Sequence, residues 1–282
     1  MVREFYLINE TGQTFSLMDI NHYCLLTEPE GLGCSYYTEH HQINNSFIPN
    51  VKRIEQGIIG GTLNFINYDN YTKFVNFAAS AKSLKFQYKI PKSDHISNYY
   101  RNVVFKSITK TQKLINGFLS EQVIFEATTL WYEENNFIYR VEEIEDELRW
   151  DFEWDSVFTD YENRSVLFDN TGHTEAPFLL EMGGYILNPT ISVYRDNELI
   201  NELSLEITIE EGEKLIYCTR DNECEITKLT ANGTKIKLFD SLDLNNDNNF
   251  FKLPIGYSTI KLSAENEILN SKLTIYKEYI AV

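Results

Sequence analysis

A succession of turn pairs constrains this fold more than anything else in the chain. Asp196–Asn197, Asp221–Asn222 and Asn232–Gly233 separate runs of apolar and β-branched residues. Such pairs accept the left-handed backbone that a tight hairpin loop needs, and the Asn–Gly between EITKLTA and TKIKLF is the firmest case. Turns recur at roughly 8–12 residues, which predicts short antiparallel strands stacked as a sandwich. No helical period of useful length appears after residue 160.

The earlier part has a mixed pattern. Short strands are predicted at Phe5–Ile8, near Phe15 and at Cys24–Thr27. Pro29, Gly31 and Gly33 then break the pattern, and the polar stretch Tyr36–Asn50 reads as a long arm. A connection that long inside a compact domain usually reaches a partner. Residues 56–67 predict a strand with Leu63 and Phe65 on one face. Tyr71, Phe74, Val75, Ala78 and Ala81 recur at helical spacing, so one helix is expected there, with Asp69 or Asn70 as its cap. The period then drops to two. Leu84, Phe86, Tyr88 and Ile90 alternate with Lys85, Gln87 and Lys89, a strand with one wet face that Pro91 ends. Further strands are predicted at 102–109, 121–128 and 129–133.

After the acidic run EEIEDE, Trp150, Phe152 and Trp154 alternate with Asp151, Glu153 and Asp155, an amphipathic strand. A domain boundary is expected in 140–165. The reading is a mainly β protein of two domains: residues 1–150, β-rich with one helix, and residues 151–282, an antiparallel β-sandwich. Aromatic residues at 14% suit pleated faces on which rings pack.

Charge excludes some functions. Residues 1–150 carry 14 cations and 18 anions, a balance of −4, and residues 151–282 carry 11 and 24, a balance of −13. A nucleic-acid binder needs clustered cations to displace phosphate counterions, so sequence-specific nucleic-acid binding is not expected. Binding to an anionic membrane surface is disfavoured for the same reason. The opening MVREFYLINE has charges at positions 3 and 4 and no long apolar run, unlike a secretory signal. No apolar stretch approaches the roughly 20 residues of a membrane helix. Synthesis in a cytoplasm follows, with Cys24, Cys34, Cys218 and Cys224 expected as thiols that serve as small buried hydrophobes.

No reaction machinery is evident. Gly31-Leu-Gly33 lacks the third glycine and the helix of a dinucleotide site, and no phosphate-binding loop or serine elbow occurs. His40 and His41 are adjacent, so in a strand they point to opposite faces and make poor joint ligands. The stretch Asp243–Asn249 resembles the start of a calcium loop but lacks its glycine, and Pro254 stands where the twelfth-position glutamate belongs. Glu210, Glu211 and Glu213 around Gly212 read as a solvated turn, not as a glycosidase carboxylate pair. No catalytic residue, cofactor or metal ligand is assigned.

Two sets of blocks carry a resemblance. In the first part they are CLLTEPEGLG, GGTLNF (Gly60–Phe65), YTKFVNFAASAK, LKFQYKIP, RNVVFKSITKTQ and LSEQVIFEATTLWY. In the second they are FDNTGHTEAP (Phe168–Pro177), GYILNP, ITIEEGEKL and FFKLPIGYSTIKL. Their order and spacing resemble the distal tail protein family of long-tailed, non-contractile bacteriophages and prophages, over nearly the whole chain. The resemblance implies an N-terminal domain that assembles into a homohexameric ring under the last ring of tail-tube protein, with a central channel for DNA. It implies a galectin-like C-terminal sandwich displayed outward. It further implies a tail-associated fibre or lysin protein on the other face, receptor-binding proteins as possible partners, no enzymatic activity, and a place in the virion at the tail tip. Unlike enlarged family members, the chain shows no inserted carbohydrate-binding module. The alternative is a module that recognises cell-wall saccharide, with Tyr185, Tyr194 and Tyr257 as stacking candidates.

Overall fold

The computed structural model describes residues 3–91, 96–111, 114–140, 165–242, 249–266, 268 and 270–282. The chain divides into two compact units, Met1–Glu133 with Tyr279–Val282, and Glu134–Glu278. The boundary expected in 140–165 and the strand expected around Trp150, Phe152 and Trp154 fall outside the described residues, save Arg140 and Ser165.

The first unit contains β1 (Glu4–Asn9), β2 (Thr14–Ser16), β3 (Leu25–Glu30), β4 (Tyr36–Ile43), β5 (Ser46–Ile54), β6 (Ile58–Phe65) and the helix α1 (Tyr68–Ser80). After the helix come β7 (Leu84–Pro91), β8 (Ile96–Ile108), β9 (Leu114–Ile115), β10 (Phe118–Ala127) and the start of β11 (Trp131–Arg140). Antiparallel pairing gives the order β2-β1-β7-β8-β10-β6-β3. The two ends of this sheet meet. Leu17 N donates to Phe5 O at 2.9 Å, Leu26 N donates to Leu17 O at 2.7 Å, and Met18 is bridged to Leu25. The sheet thus closes into a small barrel and leaves no edge there.

Period-two alternation fills the interior. Leu7, Ile59, Leu63, Phe65, Phe86, Tyr88, Val103, Val123 and Phe125 are all buried in one core. The predicted helical face packs on that core through Tyr71, Phe74 and Ala78, while Val75 is half-buried and Ala81 lies just past the helix end. Neither expected residue caps the helix. Asn67 does, its side-chain oxygen accepting from the Asn70 backbone N–H at 2.9 Å. The helix starts one turn earlier than the apolar period, so Asp69 sits in its first turn and Asn70 is buried. The wet face predicted for β7 is also incomplete, because Gln87 is buried and donates to Asn98 Oδ1 and the Tyr100 hydroxyl at 3.3 and 3.2 Å.

The second unit holds β12 (Ser165–Asn170), β13 (Phe178–Gly183), β14 (Ile186–Leu187), β15 (Thr190–Arg195), β16 (Glu198–Ser204), β17 (Thr208–Ile209), β18 (Lys214–Cys218), β19 (Glu225–Leu229), β20 (Lys235–Lys237), β21 (Gly256–Ser263) and all of β22 (Asn270–Tyr279) but its last residue. One antiparallel sheet runs β22-β13-β18-β19-β20 and another runs β12-β21-β15-β16. Phe178, Leu180, Tyr217 and Ile226 of the first sheet share one core with Phe168, Val193, Ile260 and Leu262 of the second. The unit is therefore a sandwich, as the turn spacing predicted. The turn pairs sit where expected. Asp196 and Asn197 both have positive φ, 51° and 67°, between β15 and β16. Between β19 and β20 only Gly233 does, at 84°.

Candidate assembly surface

β4 and β5 form a hairpin that pairs with no other strand among the described residues. The sequence read this stretch as a polar arm ending at Asn50. It is a regular antiparallel ladder extending to Ile54, with Ile43 opposite Ser46 and Asn44 at φ 54° in the turn. The Asn44–Asn45 pair, whose residue type accepts the left-handed backbone of a tight turn, was the signal for it. A bulge lies between Glu39 and His40, where the register passes from Val51 to Pro49. Proline cannot donate to a ladder, so a bulge beside it disturbs little pairing. Glu55 N donates to Ser35 O at 3.0 Å and ties the base of the hairpin together.

Every side chain of this hairpin except Val51 is exposed. That includes Tyr36, Tyr37, Ile43, Phe47 at 66%, Ile48 at 50% and Ile54. The cross-strand partners put Tyr36, Lys52, Ile54 and Phe47 on one face, and Tyr37, Arg53, Ile43 and Ile48 on the other. Neither face is purely polar. The charge is concentrated near the base, where Lys52 Nζ lies 4.4 Å from the Tyr36 ring and Arg53 Cζ 4.7 Å from the Tyr37 ring. The Tyr37 hydroxyl donates to Glu39 Oε1 at 2.6 Å, which pushes its pKa up. A two-stranded hairpin with no buried face is at best marginally stable in water, so an apolar partner surface is its natural complement.

The other sequence candidates are not brought together. His40 and His41 lie exposed on β4. Cys24 and Cys218 are buried thiols, but Cys34 and Cys224 are exposed, contrary to the expectation for all four. Both exposed cysteines sit outside strands, where no packed face covers them. Gly212 takes φ 82° between Glu211 and Glu213, and Glu213 Oε2 pairs with Lys228 Nζ at 3.0 Å, so those carboxylates form a charged turn. The backbone N–H of Glu210 and then Lys228 hold the Glu213 carboxyl below its usual pKa. The calcium-loop stretch lies outside the described residues except Asn249, whose carbonyl accepts from the Tyr217 hydroxyl at 2.9 Å. Tyr185 and Tyr257 are exposed and Tyr194 is half-buried.

Comparison with known proteins bears on the barrel and its hairpin. Residues 4–128 match the family described as "Distal tail protein, N-terminal domain". Residues 4–128 are a distal tail protein N-terminal domain. That stretch takes in the seven barrel strands, α1 and the exposed hairpin. No curated protein matches the chain. Among solved structures, the phage P2 baseplate in its activated conformation with calcium contains a chain similar over 100% of both chains, at 15% identity and a TM-score of 0.66. The SPP1 Dit protein, described as a paradigm of hub adsorption apparatus in phages that infect Gram-positive bacteria, is similar over 97% of this chain and 98% of its own. There the identity is 13% and the TM-score 0.59. The distal tail fold, mainly antiparallel β with one α-helix among the described residues, therefore extends through both units.

Proposed function

We propose that this chain is a structural subunit of a bacteriophage tail tip, a hub of the baseplate. Six copies form a ring under the tail-tube protein, with the tail fibre or lysin protein on the other face, receptor-binding proteins attached outside, and a central channel for DNA. The chain is made in the bacterial host's cytoplasm and works in the virion, without catalysing a reaction. The galectin-like sandwich is the outward part. Its two antiparallel sheets on one core support that reading.

The observation that carries the proposal is the exposed β4–β5 hairpin within the matched domain. Ring closure needs one patch of each copy to meet a different patch on the next. The hairpin, with Phe47 and Ile48 exposed near its tip, supplies the first patch. The mild balance of −4 over residues 1–150 suits a passage through which DNA slides without sticking.

The test is the solution mass by light scattering, with negative-stain images, alone and with tail-tube protein. A ring-shaped species near six times 33.0 kDa is expected. The double variant Phe47→Asp and Ile48→Asp is expected to fold and remain monomeric. A wild-type chain that stays monomeric in both conditions overturns the ring.

A second reading rests on one observation. Tyr257 is 64% exposed on β21, and Tyr194 lies on the neighbouring β15 opposite Thr259, on the same outer face. Rings so placed offer a stacking platform for sugar. Saturable binding of cell-wall polysaccharide that Tyr257→Ala abolishes would support it, and no binding by the wild type would remove it.

A further inference from the structure

Arg101, on β8, points into the barrel core and is only 4% exposed. It has no carboxylate partner among the described residues. Its Nε donates to Thr129 O at 2.8 Å, and its Cζ stands 5.5 Å from the centre of the Trp131 ring. Two donors here lack an acceptor. Both Arg101 Nη1 and Trp131 Nε1 are buried, and no described group accepts from either. Trp131 is wholly buried, wedged against Phe86 and Tyr88.

Gly57 also lies against the guanidinium. A Cβ on Gly57 would fall 2.3 Å from Arg101 Nη2 and 2.5 Å from Nη1. Only a residue without a side chain leaves that space to the cation.

A desolvated cation without a counter-charge is strongly disfavoured, and ring stacking alone does not satisfy its N–H groups. Buried orphan donors in a folded protein mark the place of an unseen acceptor. Two adjacent donors, one of them cationic, call for an acceptor that is itself negative. We propose that a small monovalent anion, chloride under ordinary conditions, binds in the first unit between Arg101 and Trp131, with Gly57 leaving room for the guanidinium. A water molecule would satisfy the hydrogen bonds and leave the guanidinium without an ion pair. The anion would give the guanidinium a charged contact of its own, beyond the reach of the buried Glu121 carboxylate that Thr109 and Thr111 hold on β10, and would link the stability of the barrel to halide.

The experiment is thermal unfolding of the full chain in sodium chloride and in sodium gluconate at equal ionic strength. Gluconate is too bulky for a packed core. At a tenfold excess over its dissociation constant the halide should raise the melting temperature by about 3–6 °C. Arg101→Met, which keeps the stem and removes the charge, should abolish the difference between the two salts. Equal melting temperatures for the wild type in both salts overturn the proposal. So does a salt difference that persists undiminished in Arg101→Met. If that variant does not fold, wild-type crystals grown in sodium bromide decide. An anomalous peak within hydrogen-bonding distance of Arg101 Nη1 and Trp131 Nε1 supports the site, and no peak there overturns it.

Discussion

Single residues in this chain are held by backbone conformation and by burial, and each leads to a measurable outcome. Gly31 takes φ +76°, and a Cβ on it would fall 1.6 Å from the Ile58 carbonyl oxygen. Gly31→Ala is expected to cost at least about 1–3 kcal/mol from backbone strain alone, with the steric clash added. A urea midpoint equal to that of the wild type would contradict this. Glu278 is different in kind. Burial raises its pKa above the usual 4.5, against the opposing pull of Lys252 and of Thr174, whose hydroxyl donates to Oε2 at 3.2 Å. A raised carboxyl favours folding while it is protonated. Its contribution is present below the unfolded value and is lost as pH rises through the folded one. Glu278→Gln, neutral throughout, should therefore gain on the wild type between pH 4 and pH 7. Urea unfolding at the two pH values checks it, and an unchanged gap between variant and wild type would refute it.

Among the elements, α1 and the β4–β5 hairpin show how far local pattern reaches. The apolar period of the helix was legible because Tyr71, Phe74 and Ala78 face one core. Its cap was not, because the start is fixed by which Asn can turn its side chain onto a free N–H, and the period is silent on that. Asn67→Ala should cost about 1 kcal/mol, with loss of protection in the first turn by hydrogen exchange. No loss of stability would return the cap to another residue. The hairpin read as a polar connection because Thr38, Glu39, His40, His41 and Gln42 dominate its first strand. With both faces exposed, its pattern carries no record of a core, and the ladder is set by register and turn.

In the whole molecule, each unit takes its last contacts from far along the chain. Tyr279 belongs to the first unit. Its hydroxyl donates to Glu133 Oε2 at 2.8 Å, and its ring meets Tyr99 edge-on at 5.4 Å. Tyr279→Ala should lower the stability of the first unit by about 1–3 kcal/mol. Hydrogen exchange would show faster amides on β7 and β8 and unchanged ones on β13 and β18. Equal loss in both units would argue against the assignment of Tyr279 to the first. The sequence alone determined the predominance of strands, the helix α1, the hairpins at Asp196–Asn197 and Asn232–Gly233, and the acidic balance, because period, turn chemistry and charge are local properties. Only the tertiary structure decided that the first sheet closes through Leu17 and Met18, that Arg101 is buried with no ion pair among the described residues, and that two of the four cysteines stay in water. Those outcomes depend on which distant segments meet, and no spacing within the chain encodes a meeting between residues dozens of positions apart.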